Sequence, residues 1–218
     1  MVLALLSAAG RAGADAGDAP VRLDGLAAVV GGTGPGPGID VVLQSDVELR
    51  ARIAWSGRTQ GPLELGPLPS NALGASLNEI VGELLIAREA RRVQAAMPGA
   101  VAIERERKRL AFSAGGPERL RLLLEALAAS EDELDAIARR RALVGDFLSA
   151  NLTGVTVVTD SEVERAYDAQ RQAFAGVDRA DALRELRARL SRQALDRTIE
   201  RWVTVLRSRT PVRTYVVY

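Results

Sequence analysis

Apolar residues change their spacing twice along the chain. Leu26-Ala27-Ala28-Val29-Val30 and Ile39-Asp40-Val41-Val42-Leu43 are short runs rich in β-branched residues. Between them lies Gly31-Gly32-Thr33-Gly34-Pro35-Gly36-Pro37-Gly38, which only a turn or loop accommodates, because glycine and proline both interrupt strands. The pattern predicts a hairpin over residues 26–43 with an oversized tip. From Asp46 to Pro211 the spacing is nearly all helical. Val212-Arg213-Thr214-Tyr215-Val216-Val217-Tyr218 then reads as a last strand. The order predicts a mostly α fold with a small β-sheet, closed by the N-terminal hairpin and the C-terminal strand.

Helix starts are marked by capping boxes, in which a hydroxyl accepts from the third amide and a glutamate reaches back. Ser45-Asp46-Val47-Glu48, Ser76-Leu77-Asn78-Glu79, Ser130-Glu131-Asp132-Glu133 and Thr159-Asp160-Ser161-Glu162 fit this pattern and predict four helix N-termini. The first helix covers residues 46–55. The second, 77–96, carries the stripe Leu77, Ile80, Val81, Leu84, Leu85 and Val93. A third covers 102–112, a fourth opens at Pro117, and a fifth runs from Glu131 through Phe147. Helical spacing resumes after Thr159, with Val163 and Tyr167 apolar. After Gly176, a helix of roughly 28 residues capped by Asp178 or Asp181 spans about 42 Å. Residues 151–158 read as a connector with some strand character. Residues 57–69 are rich in glycine and proline and, with the hairpin tip, read as the mobile elements. No repeat of 20–50 residues is present.

Composition narrows the chemistry. With aromatics at 4%, the core must be built from Leu, Val, Ile and Ala. The net charge of +1 gives no bulk attraction to nucleic acid or to an anionic membrane. There is no cysteine and no histidine, which excludes disulfides, Ser-His-Asp and Cys-His catalysis and ordinary zinc sites. The glycine-rich tip fits neither a P-loop nor a dinucleotide-binding pattern. Glu131, Asp132, Glu133 and Asp135 are explained by a capped helix start without a metal. The basic runs at 105–109 and 139–141 read as solvated helix faces. No cofactor is expected.

The first residues, Met1-Val2-Leu3-Ala4-Leu5-Leu6-Ser7-Ala8-Ala9-Gly10, precede Ala12-Gly13-Ala14 and Ala14-Asp15-Ala16, which resemble cleavage sites. Residues 1–16 therefore read as a secretory signal peptide. Residues 17–218 form one domain: hairpin 26–43, helical core 46–174, and a long helix with its strand over 179–218. No other run is long and apolar enough for a membrane span.

Taken in order, the hairpin with Val41-Val42-Leu43-Gln44-Ser45-Asp46-Val47-Glu48, the segment Leu77-Asn78-Glu79-Ile80-Val81-Gly82-Glu83-Leu84-Leu85-Ile86-Ala87-Arg88-Glu89-Ala90-Arg91-Arg92, the helix pair with Leu120–Leu127 and Leu134–Phe147 stripes, and Val155-Thr156-Val157-Val158-Thr159-Asp160-Ser161-Glu162-Val163-Glu164-Arg165-Ala166-Tyr167 resemble the SurA-type periplasmic chaperones. The resemblance covers about residues 24–218. It implies a SurA N-terminal, trigger-factor-C-terminal-like helical chaperone module. It also implies a periplasmic location and clients that are unfolded exported proteins, outer-membrane proteins in particular. Typical members continue after the last segment into a parvulin-type prolyl isomerase domain. Here Tyr167 is followed almost at once by the long helix, so the resemblance implies no enzymatic activity. The glycine/proline tip and the 57–69 connector are further departures. The alternative is a dedicated cell-envelope partner-binding or scaffold protein on the same fold.

A chaperone without nucleotide chemistry needs exposed apolar surface for its clients. Trp55, Phe112 and Phe174 sit at helix ends or beside breakers, and are the candidate peptide-contact residues. Phe147 and Trp202 lie on apolar stripes and are expected in the core.

Overall fold

A computed structural model describes residues 24–32, 38–59, 61–152 and 158–218. The expected signal peptide at 1–16, residues 33–37 of the hairpin tip and residues 153–157 of the 151–158 connector lie outside the described residues. The strand-like runs become β1 (Leu26–Val30), β2 (Asp40–Leu43) and β3 (Val212–Thr214). The helices are α1 (Gln44–Ser56), α2 (Ser70–Arg92), α3 (Ala100–Ser113), α4 (Pro117–Ala126), α5 (Glu131–Leu152), α6 (Asp160–Ala169) and α7 (Arg179–Arg209), with a 3-10 turn at Arg171–Phe174.

The strands pair antiparallel in the order β2-β1-β3. The sheet is open, against the expectation of a closed one. Adjacent strands twist by only about 20–25°, so three of them cannot bring their outer edges together. The register sets Val42, Ala28 and Thr214 side by side, with Val30 beside Asp40 and Val212. Ala28, Val30 and Val42 are buried on this face and pack in one cluster with Ile80, Val81, Leu84 and Leu85 of α2. Val212, Val216 and Tyr218 join the same cluster. The second half of α7 completes it through Ile199, Trp202, Val203 and Leu206. As expected, Phe147 and Trp202 meet there, with ring centroids 5.3 Å apart.

A second cluster gathers Leu49 and Ile53 of α1, Leu110 of α3, Leu120 and Leu123 of α4, and Leu134 and Ile137 of α5. The ends of α1 and α3 touch so closely that a Cβ on Gly57 would fall on the Ser113 carbonyl oxygen. A third cluster, of Val163, Phe174, Ala182 and Leu186, ties α6 and the 3-10 turn to the first half of α7. The 31 residues of α7, about 46 Å at 1.5 Å each, join the third cluster to the first.

Two of the four expected capping boxes form. Glu133 donates its amide to Ser130 Oγ (3.2 Å) and Glu162 to Thr159 Oγ1 (3.3 Å), and each glutamate reaches back. The Thr159 backbone N–H, helped by its hydroxyl, holds the Glu162 carboxyl below the usual range. The box at Ser45 is replaced. β2 runs straight into α1, so Leu43 becomes the cap and donates its N–H to Asp46 (2.8 Å), while Ser45 turns to Asp24. Ser76 lies buried inside α2, which begins at Ser70 after Pro69. Leu73 packs on the first cluster one turn before Leu77, and that burial extends the helix through its local stop.

The described residues of the 57–69 connector, all but Gln60, are held by side chains of α1 and α4. The Arg52 guanidinium donates to the carbonyls of Glu64 (3.3 Å), Leu65 (3.3 Å) and Gly66 (3.1 Å). Arg119 donates to Ser56 Oγ (2.7 Å), Gly61 O (2.6 Å) and Thr59 Oγ1 (3.2 Å). These two side chains fasten an otherwise irregular segment to α1 and α4. Arg119→Ala is expected to speed amide exchange across residues 57–66 by at least about tenfold, since local opening there loses several charge-assisted bonds. Unchanged protection in exchange mass spectrometry would refute the fastening role.

The basic runs are also less solvated than expected. Arg107 pairs with Glu131 (2.8 Å) and Asp135, Arg141 with Glu106 (3.2 Å) and Arg140 with Glu83 (3.3 Å), all between helices. Among the described residues no helix is long and apolar enough to cross a membrane.

Candidate polypeptide-binding surface

An antiparallel sheet with one face in water ordinarily alternates apolar and polar side chains. β1, β2 and the run that follows β3 do not alternate. β1 reads Leu-Ala-Ala-Val-Val, β2 reads Asp-Val-Val-Leu, and the chain continues from Thr214 as Tyr-Val-Val-Tyr. A continuous apolar run is the pattern of a strand covered on both sides. Here one side is covered by α2. On the other, Val29 lies between Val41 and Arg213. Ile39 and Tyr215 take the same side, two residues along their strands. Ile39 is 55% exposed, Val41 53%, Tyr215 54% and Val217 fully exposed. The sheet thus presents an uncovered apolar face with Val29 in its middle and Arg213 at its β3 edge.

The edge of β3 adjoins that face. Gly31 donates its N–H to Pro211 O (2.8 Å) and Tyr215 to Ala27 O (2.9 Å). With Arg213 opposite Val29, this alternation turns the main-chain groups of 211, 213 and 215 toward β1. Those of Val212 and Thr214 point outward. A groove of about 330 Å³ lies against this edge, lined by Arg207, Ser208, Arg209, Thr210, Val212 and Thr214. Among the described residues, Arg207 and Arg213 form no salt bridge, while Arg209 lies close enough to Glu89 to help hold that carboxyl below its usual range.

A second groove, of about 490 Å³, runs between α6 and α7 past Leu190, Ala194 and Thr198, with Arg165, Arg197 and Arg201 on its rim. It is the stretch of α7 between the first and third clusters, where packing on either side leaves the helix half-covered.

The three aromatic residues picked from the sequence do not form one surface. Trp55 and Phe112 lie at the touching ends of α1 and α3, next to the Gly57–Ser113 contact. Phe112 is 85% exposed, as a contact residue requires. Trp55 is half-buried beside Arg52, Leu63 and Arg119, around a void of only about 10 Å³. Phe174 is buried, contrary to expectation. The 3-10 turn folds it back onto Val163, Ala182 and Leu186, with its ring 6.1 Å from that of Tyr167. A residue beside a glycine break can point either way, and the apolar start of α7 draws this one inward.

Sequence reasoning passed over Val29, Ile39, Val41, Arg213, Tyr215 and Val217. Their signal was present in the absence of alternation in β1, in β2 and in the run 215–218 after β3. No family model matches the chain, and no curated protein is detectably similar to it.

Proposed function

We propose that this protein is a periplasmic holdase-type chaperone or assembly factor that binds unfolded exported proteins, outer-membrane proteins among them, without isomerase activity. The observation that carries the reading is the uncovered apolar face of the sheet. A folded partner-free domain gains nothing by exposing Ile39, Val41 and Tyr215 together, whereas a holdase needs such a surface. The exposed Phe112 adds a second apolar contact, and several weak contacts on one body hold an extended client by avidity. A SurA-like architecture is supported by a sheet that joins the hairpin to the last strand and by the packing of α7 on α2, where Val203 faces Gly82.

The test is light scattering from an unfolded outer-membrane β-barrel protein diluted out of urea, repeated with an unrelated unfolded client. Wild type is expected to suppress aggregation of both at near-stoichiometric amounts. The double variant Val41→Glu/Tyr215→Glu is expected to lose most of that suppression with its melting temperature within about 2 °C of wild type, because surface positions barely affect stability. Full suppression by the double variant would remove the sheet face from the reading. The unpaired arginines favour one second reading, a dedicated cell-envelope partner-binding or scaffold protein, since fixed charge selects among partners. Suppression of only one client's aggregation would favour that reading.

A further inference from the structure

We infer that the outer edge of β3 takes an extended polypeptide segment of mixed acidic and apolar composition as an added fourth strand, bonded to the main chain of Val212 and Thr214 and paired with Arg207 and Arg213. The inference rests on the polypeptide-binding reading above and names where and how such a segment sits.

The geometry supplies three separate requirements of strand addition. The first is an unpaired edge. The alternation of bonds to β1 leaves the N–H and C=O of both Val212 and Thr214 facing away from the sheet. The second is room beside the edge, which the groove of about 330 Å³ between β3 and the end of α7 provides. The third is a surface for alternate side chains of the added strand, which Tyr215 and Val217 extend past the edge on the apolar face.

Charge decides the occupant. After Glu200 the sequence contains Arg201, Arg207, Arg209 and Arg213 and no aspartate or glutamate through Tyr218. A second copy pairing edge to edge would bring two sets of these arginines together, of which Arg209 alone has a carboxylate, Glu89, acting on it. Like charges opposed across paired strands destabilise the pair. An acidic segment is favoured instead, since a carboxylate accepts bidentate bonds from an arginine. A basic segment is excluded by the same argument. Edge strands are ordinarily blocked by proline or an inward charge. Pro211 sits on the β1 side of the register, and the outward groups belong to β-branched Val212 and Thr214, which leave the edge open.

The experiment uses the full chain and fluorescence anisotropy with three dye-labelled ten-residue peptides. One alternates glutamate with valine and tyrosine. One is its twin with alternate amides N-methylated. One carries lysine for glutamate. Binding of the glutamate peptide is expected, with a loss of about tenfold or more on either twin, a difference of about 1.4 kcal/mol or more. Arg207→Glu/Arg209→Glu/Arg213→Glu should invert the preference between the glutamate and lysine peptides. Thr214→Pro removes one outward N–H and none of the bonds to β1, and should weaken the glutamate peptide and narrow its advantage over the N-methylated twin. The arginine variant keeps the test independent of whether Thr214→Pro folds.

Equal binding of the N-methylated twin overturns strand addition. Indifference to the sign of the peptide charge overturns the assigned occupant. So does a dimer in sedimentation equilibrium that Thr214→Pro dissociates, since a second copy then fills the edge. Light scattering separates this inference from the reading beneath it. Suppressed aggregation with no discrimination among peptides sinks the edge and spares the chaperone. Discrimination without suppression does the reverse.

Discussion

Glu83→Ala is expected to lower stability by about 3–5 kcal/mol, the usual cost of stranding a buried charge. Glu83 stands between two guanidiniums from different helices. Arg50 Nη2 lies 2.7 Å from its Oε1 and Arg140 Nε 3.3 Å from its Oε2. The Arg50 side chain is 5% exposed, and its Nη1 already has no hydrogen-bond partner among the described residues. Removing the carboxylate leaves a guanidinium shut between α1 and α2 with only the exposed Glu79, 3.6 Å away, to offset it. Glu79 already pairs with Arg50, but its side chain is 67% exposed and solvent screens most of that attraction. The melting temperature should fall by on the order of 10 °C. The contrast is Glu118→Ala, which removes a surface partner of Arg121 and should leave the melting curve where it is. A Glu83→Ala curve that overlays wild type would show that the buried guanidinium finds water, and would falsify its structural role.

Removing residues 212–218 is expected to cost about 3–6 kcal/mol, from the partly buried Val212, Val216 and Tyr218 together with the ladder bonds to β1. β1 is the centre of the sheet, so the deletion converts a central strand into an edge. That new edge runs through Ala27–Val30, an apolar segment without a charged side chain, which is the kind that pairs with other chains. Lower solubility should therefore accompany the lower melting temperature. The two effects separate with Val212→Thr, which keeps the strand and its bonds but weakens the packing. It should lower stability without lowering solubility. An unchanged melting curve for the deletion would mean that β3 contributes nothing to the first cluster.

The helical part of the fold was legible because its residues state it twice. The stripe Leu77, Ile80, Val81, Leu84 and Leu85 is both a helical period and the set that is buried. Pro117 starts α4 where a proline belongs, and Asp178 caps α7 through the amides of Ala180 and Asp181. The cap at Thr159 needed only its neighbours, so local chemistry decided it. The cap at Ser76 failed because Leu73 had apolar surface to cover one turn earlier, and burial of a leucine outweighs a capping bond.

The candidate site was legible only in part. Exposure of Phe112 followed from its place beside a helix end, but Phe174, in the same kind of place, turned inward. The choice between them depends on what stands opposite, and no local pattern contains that. Arg52 and Arg119 illustrate the same limit. Residues 57–69 have the composition of a loose connector, and only the fold puts two guanidiniums within reach of their carbonyls and hydroxyls.

By itself the sequence determined the element types, their order, the long last helix and the absence of histidine and cysteine chemistry, since propensity, period and composition are local quantities. The tertiary structure alone decided that the sheet stays open, that β1 lies at its centre, that the buried Arg50 meets a partly buried Glu83, and that an apolar sheet face remains uncovered. Those outcomes depend on distances between residues far apart in the chain, and contacts of that kind are set by packing rather than by any neighbour in sequence.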